Sequence, residues 1–195
     1  MKKLLGILVL GLFLITPSQA DDIRDFQIEG MSVGDSALDY FSKGEINNLE
    51  IFSFPKSKKF FGLSVYKHSS FKVYDSVMFA YKKSDKTYKM YEVTGVIHYK
   101  NNIKECYKKK DEIVNEVAKL FKNTTKRSYT NIHPIDKSGK TKAQIVDFNF
   151  SSGEVVRVYC TDWSKKIEQK NNWWDELKVS INTKEFWDFI NNEAY

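Results

Sequence analysis

Residues 60–99 read FFGLSVYKHSSFKVYDSVMFAYKKSDKTYKMYEVTGVIHY, and their alternation decides the fold. Phe61, Leu63 and Val65 fall on one face of an extended chain. Val77, Phe79 and Tyr81 repeat the pattern, and Tyr91, Val93, Ile97 and Tyr99 repeat it again with Gly95 in phase. Successive side chains of a strand point to opposite sides, so an apolar residue at every second position marks a strand with one buried face. The Ser84-Asp85-Lys86 connection is too short for a crossover helix, which makes the strands an antiparallel meander.

Working outward, the period changes. Asn101 and Asn102 can cap a helix. Ile103, Cys106, Tyr107, Ile113, Val114, Val117, Leu120 and Phe121 then recur at helical spacing, with lysines and acids filling the other side. Upstream, residues 25–29 read as a short strand with Phe26 and Ile28 on one side. Residues 32–35 fit a capping box, and Ala37, Leu38 and Phe41 make a short helix ended by Lys43-Gly44.

Downstream, residues 122–142 are polar, with Tyr129, Ile132 and Ile135 in an irregular strand. Val146, Phe148 and Phe150, the Ser151-Ser152-Gly153 turn, and Val156, Val158 and Cys160 form a hairpin. Leu177, Val179 and Ile181 mark a further strand. Asn182, with Glu185 three residues on, starts a closing helix that carries Phe186, Phe189 and Ile190. Runs of strands separated by helices give the α+β class: an antiparallel sheet of about six or seven strands on one long helix, with short N- and C-terminal helices.

The 195 residues, 42% hydrophobic and 15% aromatic, have enough apolar mass to exclude whole-chain disorder. Two cysteines exclude a disulfide-dense scaffold and a four-cysteine zinc site. The first twenty residues read as a secretory signal peptide: Lys2 and Lys3, an apolar run from Leu4 to Ile15, and small residues at Ser18 and Ala20, with cleavage expected before Asp21. That run is shorter than the ~20 residues needed to span a bilayer. Removal takes Lys2 and Lys3 with it and lowers the formal net charge from +6 to +4. Residues 21–195 are then expected to form one α+β domain, in which the order helix-then-meander occurs twice, at about 21–100 and 101–195. It is expected to be exported, periplasmic or extracellular, without stable membrane insertion.

In an oxidising compartment Cys106, on the inner face of the long helix, and Cys160, on the inner face of a strand packed near it, are expected to form a disulfide. Residues 136–141, DKSGKT, end like a phosphate-binding loop. Pro134 stands where that motif needs glycine and a strand follows instead of a helix, so they read as a turn built on Asp136 and Gly139. His68, His98 and His133 have no spacing that makes a metal site, and no catalytic residue or cofactor is assigned. Lysine clusters at Lys56-Lys58-Lys59, Lys82-Lys83, Lys108-Lys109-Lys110 and Lys165-Lys166 read as solvated faces. Nucleic acid is not expected as a partner.

Trp163, Trp173, Trp174 and Trp187 all lie in the last third of the chain. Adjacent Trp173 and Trp174 cannot both point inward from an extended segment, so Trp173, Trp174 and Trp187 are the candidate contact residues.

Residues 26–41, FQIEGMSVGDSALDYF, resemble the opening of small uncharacterised exported proteins of marine alphaproteobacteria, with the likeness continuing through the Cys106 helix to residues 159–163, YCTDW. The resemblance implies export and brings no activity with it. The Gly30-Met31-Ser32 stretch is also similar to the helix entry of outer-membrane assembly lipoproteins of the SmpA/OmlA type. This chain is longer and lacks their lipidated cysteine, so membrane anchoring does not carry over. The expected role is therefore recognition of an envelope or extracellular protein by a sheet face or edge plus the tryptophan-bearing segment. The alternative is a periplasmic hydrolase, which would have to bring His133, Asp136 or His98 together in one pocket.

Overall fold

The computed structural model describes residues 22–195. The expected signal segment, residues 1–20, lies outside the described residues, as does Asp21 at its expected cleavage site. In chain order the regular elements are α1 (Lys43–Asn47), β1 (Glu50–Ser53), β2 (Phe60–Tyr66), β3 (Ser76–Lys82), β4 (Glu92–Tyr99), α2 (Ile103–Leu120), β5 (Thr125–Ile132), β6 (Lys142–Asn149), β7 (Val155–Asp162), α3 (Lys165–Asn171), β8 (Asp175–Asn182) and α4 (Lys184–Asn192). All eight strands belong to one antiparallel sheet in the order β1-β2-β3-β4-β8-β7-β6-β5. Two four-strand meanders therefore meet where β4 pairs with β8, and β1 and β5 are the outer edges.

The alternation reads directly onto the sheet. Leu63, Val65, Val77, Phe79, Val93, Val146, Phe148, Val156, Val158, Leu177, Val179 and Ile181 face one side and are buried in the main core. The apolar stripe of α2 covers the β4-β8-β7 part of that side through Cys106, Ile113, Val114 and Val117. The bridge Cys106–Cys160 ties α2 to β7, with the two Cα atoms 6.1 Å apart. Over β2 and β3 the same side is covered by the N-terminal segment, where Phe41 stacks on Phe79 at 6.2 Å. Gly95 has to be glycine: a Cβ there would lie 2.5 Å from the ring of Tyr74, which crosses the strand at that point.

The opposite side carries a second, smaller core. Phe186 and Phe189 of α4 pack on Phe54, Phe60 and Ala80. Their rings meet at 5.0 Å (Phe54–Phe189) and 4.9 Å (Phe60–Phe189). The sheet is thus sandwiched at one end, with α2 and the N-terminal segment below and α4 above.

Several local readings of the sequence are corrected. Residues 25–29 are not a strand. Ile23–Asp25 is a 3-10 turn, and Ile28 pairs only with Met31 around Glu29-Gly30, both at positive φ. Phe26 and Ile28 are buried as alternation requires, but a tight turn buries them. The Asp35 carboxylate does accept from the Ser32 N–H at 2.9 Å, while the Ser32 hydroxyl donates to the Phe26 carbonyl instead of capping a helix.

The expected helix at 37–41 is only a 3-10 turn, Ala37–Asp39, and the true α-helix starts where that helix was expected to end. Ser42 and Glu45 form its capping box. Finally, β1 and α3 were not expected, and β5 is a regular eight-residue strand.

Candidate functional site

The candidate surface is built on the free edge of β5 and the aromatic side chains where β5 ends. The sequence of β5, TKRSYTNI, supplies enough β-branched and aromatic residues to favour extension. It alternates nothing strongly apolar, so neither face buries, and every residue but Tyr129 is exposed.

Tyr129 is the anchor. Its hydroxyl donates to Asp147 at 2.9 Å and accepts from Arg157 Nη2 at 2.7 Å. Arg157 also holds Asp147 in a fork, Nε to Oδ1 at 2.7 Å and Nη2 to Oδ2 at 3.0 Å. On its far side β5 has no partner strand among the described residues, so every second residue directs its N–H and C=O outward. Behind this edge an open groove of about 600 Å³ separates β5 and β6 from α2, with Lys110, Val114, Lys126, Ser128, Thr130 and Gln144 among its lining. The Lys110 ammonium donates to Gln144 Oε1 across it at 3.1 Å.

A row of rings crosses the end of the sheet from β5 towards β4. His133 lies 4.8 Å from Trp163, and Trp163 lies 4.7 Å from Trp173. Trp174 meets His98 edge-on at 5.8 Å, with the Lys100 ammonium 5.5 Å from its ring centroid. The local chain path explains the display. Asn172 adopts a left-handed conformation, φ 55°, that ends α3, and the Trp173 N–H closes the turn on the Glu168 carbonyl.

Two bulky rings are then presented just before β8 begins, Trp173 at 39% and Trp174 at 41% exposure. Of the three tryptophans expected to make contacts, these two come together. Trp187 does not join them: it sits on α4 with the Arg157 guanidinium 4.4 Å from its ring centroid. Trp163, which was not a candidate, is buried and links Trp173 to His133.

Of the groups named for a hydrolase, His133 and Asp136 share one loop, where the Asp136 N–H donates to the His133 carbonyl at 3.1 Å, and His98 stands apart from both. His98 lies on β4 and His133 follows β5, with three strands between them in the sheet. Burial pushes the His133 imidazole below its ordinary pKa, and its Nδ1 accepts from the Ile135 N–H. The Asp136 carboxylate is consumed by its own loop, accepting from Ser138 and from both the N–H and the hydroxyl of Thr141. The hydrogen bond from Ser138 leads in holding its pKa well below the usual carboxylate range. With Gly139 at φ 71°, the segment is the turn its sequence implies. No group of three or more His, Cys, Asp or Glu residues with metal-binding geometry occurs among the described residues.

The second sheet face carries charges that the sequence analysis did not single out. Glu92, Glu176 and Asp147 are buried, and Lys178 and Arg157 half-buried, on neighbouring strands. Lys178 donates to Glu176 at 2.7 Å. Burial pulls its ammonium down, but Glu176, Tyr159 and Glu92 together hold it above its ordinary value. The signal was present in the sequence as single charges between apolar neighbours, Val146-Asp147-Phe148, Val156-Arg157-Val158 and Leu177-Lys178-Val179.

Glu92 has a measurable consequence. Burial pushes its carboxyl up to about 7, against opposing contributions from the Thr94 hydroxyl and Lys178. The unfolded chain loses this proton near pH 4.5, whereas the folded chain keeps it to about pH 7. Across that window the native state binds more protons, so stability falls as pH rises, by ~3 kcal/mol in total. Glu92→Gln is expected to remove this slope and to be more stable than wild type at pH 8. Urea unfolding at pH 5 and pH 8 checks it, and an unchanged slope in the variant would count against a buried Glu92.

Compared with known proteins, the chain matches no family model, no curated protein and no solved structure.

Proposed function

We propose that this is an exported envelope-associated protein that acts by binding, taking an extended segment of a protein partner along the free edge of β5. The observation that carries this reading is an eight-residue edge strand without proline, uncovered among the described residues, that leads into half-exposed aromatic rings. Edges of this length are normally shortened or covered, because their open hydrogen bonds recruit other chains. Here Lys126 and Arg127 oppose indiscriminate pairing while leaving the backbone free. Strand addition would supply main-chain hydrogen bonds, the groove behind β5 would receive alternate side chains, and Trp173 and Trp174 would add contact area at one end. The buried disulfide, and the lack among the described residues of any helix long and apolar enough to cross a membrane, are compatible with export.

Affinity capture from the native envelope tests this with an adjacent pair of variants, Thr130→Pro and Asn131→Pro. In an edge strand only one of two neighbouring residues points its N–H outward, and proline at that position leaves the pairing with β6 intact. The outward-facing variant is expected to keep its Tm and to recover about tenfold less partner, the effect of losing roughly 1.4 kcal/mol of binding. Undiminished recovery with that variant, or no partner above background with wild type, would remove the support for this reading.

A further inference from the structure

Residues 117–135 carry Lys119, Lys122, Lys126 and Arg127 and no Asp or Glu. None of these four cations pairs with a carboxylate among the described residues. The last turn of α2, the loop after it and β5 therefore present one sign of charge beside the free edge. We propose that the extended segment taken up by β5 is acidic, with two carboxylate side chains four residues apart that seat on Lys110 and Lys126. This inference rests on the strand-addition reading and adds the chemistry of the partner to it.

The pairing register sets the spacing. Thr130 lies opposite Gln144 and Lys126 opposite Phe148, so Lys126, Ser128 and Thr130 share the α2 side of the sheet. Lys126 and Thr130 are about 13 Å apart along the strand. The groove behind β5 follows this side, with Lys110 on Gln144 towards one end and Lys126 towards the other. On a strand added to β5, the residues opposite Thr130 and Lys126 also point to this side, because side chains four apart in a strand share a face. The first is directed over Thr130 to the Lys110 ammonium, and the second lies beside Lys126.

Lys110 is the more selective seat. Its side chain is only 8% exposed, and its ammonium meets Gln144 Oε1 at 3.1 Å and Asp111 Oδ1 at 3.5 Å, with the Tyr107 ring centroid 5.5 Å away. An ammonium has three N–H donors, so these two acceptors leave one donor without a partner among the described residues. The Asp111 side chain is 70% exposed, which makes its hold weak and readily exchanged for a carboxylate that enters the groove. A hydrogen bond from a buried, pre-placed ammonium to a carboxylate is stronger than one from a solvated lysine and orders less side-chain freedom. A second copy of this chain does not fit, because its own edge, TKRSYTNI, has no carboxylate to offer.

The test is a nuclear magnetic resonance titration of the whole protein at fixed ionic strength. The probes are a capped seven-residue threonine–valine peptide with glutamate at its second and sixth positions, and the same peptide with glutamine at both. Saturable amide shifts at residues 125–132 are expected, with the glutamate peptide binding about tenfold tighter or more. Lys110→Met, which keeps the buried stem, should remove most of that preference. The exposed variant Lys126→Thr should keep its Tm and remove part of it, while Lys108→Ala, on α2 but outside the groove, should leave it unchanged. Equal affinity for the two peptides would overturn the acidic partner and leave the edge reading standing. Shifts at residues 125–132 with neither peptide would overturn nothing less than the edge reading itself if they are absent throughout, and this inference with it. A preference that survives both Lys110→Met and Lys126→Thr, or that falls as far with Lys108→Ala, would overturn the two seats.

Discussion

Replacing Cys106 and Cys160 together by alanine is expected to lower stability by ~4 kcal/mol, the loop-closure entropy for a sequence separation of 54. For a chain of this length that corresponds to a fall in Tm of roughly 10 °C. The bridge joins the first turns of α2 to the middle of the sheet, and both sulfurs are fully buried. A reductant therefore has little access until the chain opens, and the double variant is a cleaner measure than added thiol. Thermal unfolding followed by circular dichroism reads the effect. A fall of under about 2 °C would mean that the packing of Ile113, Val114 and Val117 holds α2 on the sheet without the bridge.

Asp147→Asn is expected to cost about 3 kcal/mol or more, because it removes the only carboxylate among the described residues that grips Arg157 and leaves a half-buried guanidinium uncompensated. The pair also anchors the edge strand, since the Tyr129 hydroxyl donates to Asp147 and accepts from Arg157. The loss should therefore loosen β5 first, seen as faster amide hydrogen exchange at residues 125–132. Trp187, stacked on Arg157, is a local fluorescence reporter of the same event. The double variant Asp147→Leu/Arg157→Met should recover most of the stability, because apolar replacement of a buried pair removes both desolvation costs. A single-variant loss below 1 kcal/mol would show that solvent reaches the pair and screens it.

These predictions mark where sequence reading is strong and where it stops. The meander at residues 60–99 and the helix α2 were legible because each buries one face against a large partner, and burial of one face is what imposes a period. The edges lack that pressure. In β1 only Phe52 is even half-buried, and in β5 only Tyr129, so neither writes an alternation into its sequence. In α3 a single buried residue, Ile167, cannot define a helical repeat. Residues 25–29 show the converse error, since a tight turn can bury Phe26 and Ile28 two positions apart without any strand.

For the candidate surface, the sequence dictated that one of Trp173 and Trp174 must reach solvent. Contact with Trp163 and His133 depended on strands far apart along the chain.

By itself, then, the sequence determined the α+β class, the long helix, the strands with one apolar face and the pairing of its two cysteines. All of these follow from local periodicity and residue chemistry. Tertiary structure alone decided that β4 pairs with β8, that β5 is left as an edge, and that α4 packs on the second face, whose charges are buried or half-buried. Those facts depend on which distant segments pack together, and periodicity records that a face is buried without recording what buries it.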